Sequence, residues 1–96
     1  MRPSEALRFH REDIRRVVER NHTLNPRAFG SILNGEDTES SDFDLLVDPT
    51  PDTTLMDIAR IQNQLQKLLG VSVDVLTPKA PPESFRNRVL SEAVPV

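Results

Sequence analysis

Ser41-Asp42-Phe43-Asp44-Leu45-Leu46-Val47-Asp48 is the stretch from which the fold is read. Phe43 to Val47 is apolar on both faces beyond Asp44, the composition of a strand covered on both sides. Asp48-Pro49-Thr50-Pro51-Asp52 ends it. Upstream, Arg27-Ala28-Phe29 after Pro26 predicts another short strand, followed by Gly30-Ser31-Ile32-Leu33-Asn34-Gly35 and a polar loop from Glu36 to Ser41. Downstream, Thr53 or Thr54 caps a long helix with apolar positions Leu55, Ile58, Ala59, Ile61, Leu65, Leu68 and Leu69, closed by Gly70. Val71 to Leu76 then alternates, with Val71, Val73 and Val75 on one face and Ser72, Asp74 and Leu76 on the other, which predicts a third strand.

The flanks are helical. Ser4 is the expected cap of a helix starting at Glu5, with Leu7, Ile14, Val17 and Val18 on one face, Arg8, Arg11, Arg15 and Arg16 opposite, and Asn21 as the stop. Ser84 is the expected cap of a last short helix carrying Phe85, Val89, Leu90 and Ala93, which Pro95 stops. Helices and strands alternate, so the expected fold class is α/β (α+β): a small mixed sheet of about three or four strands covered by helices.

At 96 residues the chain has the length of one domain, 1–96. Its 36 per cent apolar content, with four Phe and no Trp or Tyr, predicts a modest aliphatic core. The apolar run Leu45-Leu46-Val47 is far below the roughly 20 residues of a membrane helix, so no membrane association is expected. Without cysteine there is neither a disulfide framework nor a thiolate metal site. Together with a start, Met1-Arg2-Pro3-Ser4-Glu5, that lacks an apolar leader, this predicts a cytoplasmic protein.

The net charge of −3 is unevenly spread: residues 30–60 hold eight acids and one Arg, whereas residues 1–29 hold seven Arg and four acids. An acidic centre argues against direct nucleic-acid binding unless cations intervene. Asp42 and Asp44, two apart, project from the same face of an extended segment with Cα atoms roughly 6.5 Å apart. Asp74, amid valines in the next strand, is costly to bury without a partner. If the two strands are neighbours with their acid faces aligned, three carboxylates converge on one site and call for hard divalent cations such as Mg²⁺. Gly30 lets the backbone approach a ligand closely, and Ser31 presents a hydroxyl and N–H groups to a phosphate. His10 and His22 lack a second ligand at metal spacing and read as surface histidines. Neither G-x-x-x-x-G-K-[ST] nor G-x-G-x-x-G occurs.

Gly30-Ser31, ten residues, then Asp42-Phe43-Asp44 resembles the signature of the polymerase-beta-like nucleotidyltransferases. The similarity is closest to their minimal subgroup, the MNT or MntA-like antitoxins encoded beside a HEPN-domain RNase toxin. It extends through Ala28-Phe29-Gly30-Ser31, Gly35-Glu36-Asp37-Thr38, Val73-Asp74-Val75-Leu76-Thr77 and Leu90-Ser91-Glu92-Ala93-Val94-Pro95. The resemblance implies a nucleotidyltransferase fold and Mg²⁺-dependent transfer of AMP from ATP to a hydroxyl, a tyrosine, of the HEPN toxin. Asp42, Asp44 and Asp74 would be catalytic and would ligate two Mg²⁺ ions; Gly30, Ser31 and Ser41 would bind the nucleotide. Many members carry arginine where this chain has Asn34. Two rival readings stand beside this one: an antitoxin that neutralises the toxin by binding alone, and nucleotide transfer to a small molecule such as an aminoglycoside.

Overall fold

The computed structural model describes residues 2–96. Helix α1 spans Pro3–Arg20, β1 Thr23–Phe29, β2 Phe43–Pro49, α2 Leu55–Leu69, β3 Val73–Leu76, α3 Glu83–Glu92 and β4 Val94–Pro95. A 3-10 turn, Gly30–Asn34, follows β1. The sheet is four-stranded and mixed, in the order β3-β2-β1-β4. β2 runs antiparallel to β1 and parallel to β3, with α2 as the crossover, while β4 pairs antiparallel with β1.

Side-chain alternation on the central strand separates a structural face from a chemical one. Phe43, Leu45 and Val47 are buried with Val73 and Val75 of β3, Ala28 of β1, Ala6, Ile14 and Val18 of α1, and Ile61, Leu65 and Leu69 of α2. Helices α1 and α2 therefore pack side by side on one face. Asp44, Leu46 and Asp48 point the other way. Leu46 is fully buried, as expected of a strand covered on both sides, but α3 has no buried residue.

Helix boundaries follow local chemistry. α2 begins at a capping box in which Asp57 N–H donates to Thr54 Oγ1 (3.2 Å) and Thr54 N–H donates to Asp57 Oδ2 (2.9 Å). It ends at Gly70, whose φ of 68° is the left-handed conformation that glycine accepts without strain. α1 starts earlier than the Ser4 cap predicts: Pro3 takes the first helical position after Arg2. Ser4 is already inside the helix and donates its backbone N–H to Asp37 Oδ2 at 2.8 Å. Likewise Pro82, not Ser84, precedes α3.

Three further expectations are corrected. β1 begins at Thr23, four residues before Arg27, because a register shift between Leu24 and Arg27 lets the strand pass Pro26. β4 is an extra strand, with Pro95 on an edge where no ladder donor is needed. Within α2, Leu55 is 89% exposed and Leu68 39%, so the buried stripe is Ile61, Leu65 and Leu69 with Ile58 partly covered.

Candidate active site

The parallel register of β2 and β3 sets Asp44 directly opposite Asp74, with Leu46 opposite Leu76 two residues on. Both aspartates thus lie on the face of the sheet away from α1 and α2. Asp42 precedes the first paired residue of β2, Phe43, and is exposed on the incoming loop. Burial, then the charge of Asp74, then that of Asp42, push the Asp44 carboxyl up to about 6. All three carboxylates are close enough to interact electrostatically.

The backbone around them is shaped for this. Phe29 pairs with Asp44 across β1 and β2, which puts Gly30 against the Asp44 side chain. A Cβ built on Gly30 would stand 2.4 Å from Asp44 Oδ2, and its φ is +84°. Any side chain there would be strained by the positive φ and would have to displace the Asp44 carboxylate. The 3-10 turn then carries Ser31, half-buried, and closes at Gly35 with φ 67°.

The loop leading into Asp42 is fixed from two directions. Asp37, 4% exposed, accepts the Ser4 N–H of α1, and that hydrogen bond holds its carboxyl below the usual carboxylate range. Ser41 Oγ accepts Thr38 N–H at 2.8 Å, and Ser41 N–H donates to Thr38 O at 3.1 Å. The hydroxyl expected to meet nucleotide thus closes a turn within the loop. Asp37 was legible in the sequence only as one of several acids; nothing in its spacing points to α1.

Among the described residues, no three Asp, Glu, His or Cys side chains are gathered tightly enough to enclose an ion. Asp42, Asp44 and Asp74 form an open set, not a closed cage. The two histidines stand apart from it: His10 Nδ1 is 3.2 Å from Asp13 and His22 Nδ1 is 3.3 Å from Asp57. A cavity of about 430 Å³ lined by Arg15, Arg27, Asp48 and Val96 lies toward the opposite end of β2.

The profile of the nucleotidyltransferase domain family matches residues 11–96. The chain belongs to that family. This nucleotidyltransferase is 40% identical over 68 residues to a candidate protein adenylyltransferase of Methanocaldococcus jannaschii, covering 71% of the chain and 73% of the relative. It is 32% identical over 88 residues to the protein adenylyltransferase MntA of Thermococcus cleftensis, covering 92% of the chain and 86% of the relative. Among solved structures, a candidate minimal nucleotidyltransferase superposes with a TM-score of 0.86 at 40% identity, over 97% of this chain and 95% of the other. A toxin-antitoxin crystal structure with AMP-PNP shares the fold, with a TM-score of 0.74 at 17% identity, over 88% of this chain and 69% of that one. Among the described residues of this nucleotidyltransferase no helix is long and apolar enough to cross a membrane.

Proposed function

We propose that this chain is the antitoxin of a cytoplasmic toxin-antitoxin pair and transfers AMP from ATP to a tyrosine hydroxyl of a HEPN-domain RNase toxin. The observation that carries the reading is the pairing of Asp44 with Asp74 beside Gly30, in a chain 32% identical to a protein adenylyltransferase over nearly its full length.

The site suits Mg²⁺. Its donors are all carboxylate oxygens, and Asp44 is raised to about 6 because its surroundings are partly dry and its neighbours are anions. An open set of carboxylates matches an ion that usually takes one or two of them and leaves room for phosphates and water. Asp42 and Asp44 would hold two ions, and Asp74 would share the one near the acceptor. When bound, the ions supply charge neutralisation at the attacking and leaving oxygens.

The remaining work falls to this chain's own groups. Gly30 keeps space at Asp44 Oδ2, and Ser31 with the N–H groups of its turn holds the distal phosphates. The acceptor oxygen forms a bond to the α-phosphorus while the bond to the β-phosphate bridging oxygen breaks, and pyrophosphate departs with that electron pair. Asp74, exposed at the rim, receives the acceptor's proton.

The test is transfer of label from α-labelled ATP, with Mg²⁺, to the product of the neighbouring gene, repeated with Asp44→Asn. Transfer is expected with the wild type only; label that persists in the variant refutes the metal-holding role. Asn34, where many relatives of this kind carry arginine, favours a second reading in which the antitoxin acts by binding alone. In that case Asp44→Asn still neutralises the toxin in cells.

A further inference from the structure

From Gly30 to Ala59 the chain contains eight acids and no Lys or Arg. The Gly-Ser turn, the loop after it, Asp42 and Asp44 all belong to this stretch. A polyphosphate of charge about −4 brought there meets no side-chain cation from its own segment, and each unneutralised phosphate faces carboxylates. The proposed Mg²⁺ ions would sit at the carboxylates, so any side-chain cation for the distal phosphates comes from elsewhere in the fold.

Two clefts open beside Gly30, of about 260 Å³ and about 450 Å³, and both are lined by Gly30, Asn34, Arg88 and Glu92. Arg88 of α3 is the sole cation lining either one. Its guanidinium is occupied by Glu92 at 3.3 Å, one turn along the same helix, with the two side chains 75% and 58% exposed. Such an exposed pair contributes little to stability and exchanges readily for a better anion. A guanidinium fits phosphate through two parallel N–H donors, whereas Glu92 meets Arg88 through Nε alone. Because α3 buries none of its residues, redirecting this side chain disturbs no packing.

We propose that Arg88 is the phosphate-binding cation of this nucleotidyltransferase, leaving Glu92 to grip the distal phosphates of a nucleoside triphosphate lodged between the 3-10 turn and α3. The assignment rests on the ATP-dependent reading given above. It makes α3 part of the substrate site, with Arg88 across the shared clefts from Asn34.

Calorimetric titration of the full chain with ATP and with AMP, each with Mg²⁺, tests it in the wild type and in Arg88→Ala, Arg88→Lys and Asp44→Asn. Loss of charge-assisted hydrogen bonds is expected to weaken ATP roughly tenfold or more in Arg88→Ala, to spare AMP, and to be partly rescued by Arg88→Lys. Circular dichroism of each variant should match the wild type. A weakening of ATP by less than about fivefold, or equal weakening of ATP and AMP, overturns the assignment. If Arg88→Ala then binds ATP normally while Asp44→Asn loses its Mg²⁺-dependent affinity, only the role of Arg88 falls. A wild type that fails to bind ATP sinks both this assignment and the reading beneath it.

Discussion

Beyond the C-terminal end of β2, Asp57 lies in the first turn of α2, its side chain only 3% exposed. It accepts Thr54 N–H and Thr54 Oγ1–H, and is met by His22 and by Arg60 at 3.2 Å. At the other end of the same strand Asp44 is also partly withdrawn from water, but its neighbours Asp74 and Asp42 are acids. The Thr54 backbone donor leads the causes that hold Asp57 below the usual carboxylate range; burial leads those that push Asp44 to about 6. One carboxylate has been given its counter-groups by the fold. The other has been left short of them, as a group meant to receive a ligand is.

The sharpest way to break this contrast is Asp44→Asn. Transferase activity should fall by at least about a hundredfold, since metal-assisted charge stabilisation is worth several kcal/mol. In the absence of Mg²⁺ the same variant should melt higher than the wild type, because it removes a repelled charge, and Mg²⁺ should raise the wild-type midpoint more than the variant's. A variant that melts lower without metal would contradict the picture of Asp44 as a frustrated acid.

Gly30→Ala comes next. It forces a side chain into a left-handed conformation, costing about 1–2 kcal/mol, and drives a methyl against Asp44 Oδ2. Activity should drop at least about tenfold through displacement of that carboxylate, with a lower denaturant midpoint. Normal activity would show that Asp44 works from another position.

Acid titration separates the two carboxylates by sign. The contribution of Asp57 is present above the usual carboxylate pKa of about 4 and is lost as pH falls through its lowered value. The stability gap between wild type and Asp57→Asn should therefore close below about pH 4. Asp44 runs the other way: its folded pKa is raised to about 6, so its unfavourable contribution grows as pH rises from the usual carboxylate range to that value and is constant above. The gain from Asp44→Asn should follow that rise, measured by urea midpoints across pH. The smallest effect is expected at Leu55, 89% exposed, where Leu55→Ser should change stability by no more than about 0.5 kcal/mol.

The legible parts of this chain were those where local pattern and tertiary demand coincide. Val71, Val73 and Val75 alternate against Asp74 because β3 buries one face, and the same period that marks the strand marks the acid as facing out. Gly30 and Gly70 were readable because each sits where the backbone takes positive φ. What escaped was settled by contacts distant in sequence. Ser4 looks like a cap until Asp37, 33 residues away, claims its N–H. Asp57 looks like any first-turn acid, and its link to His22, 35 residues back, has no periodic trace. Leu55 and Leu68 fit a helical stripe wider than the surface that α1 and the sheet offer to cover. β4 hid behind Pro95, which argues against a strand everywhere except at an edge. For the candidate site, the three aspartates and Gly30 stood out in sequence, but Arg88 did not, since its relevance depends on where α3 comes to rest.

In the β2–β3 ladder the pair Asp44–Asp74 is an acidic rung between two apolar ones, Phe43–Val73 and Leu45–Val75, with Leu46–Leu76 beyond. As the chain folds, the apolar pairs on either side close favourably and hold together the one rung whose like charges resist. The amide of Asp74 should accordingly trade hydrogen for deuterium sooner than that of Leu76, and bound cation should slow it. A bound cation would thus settle the one rung of the sheet that its own side chains leave under strain.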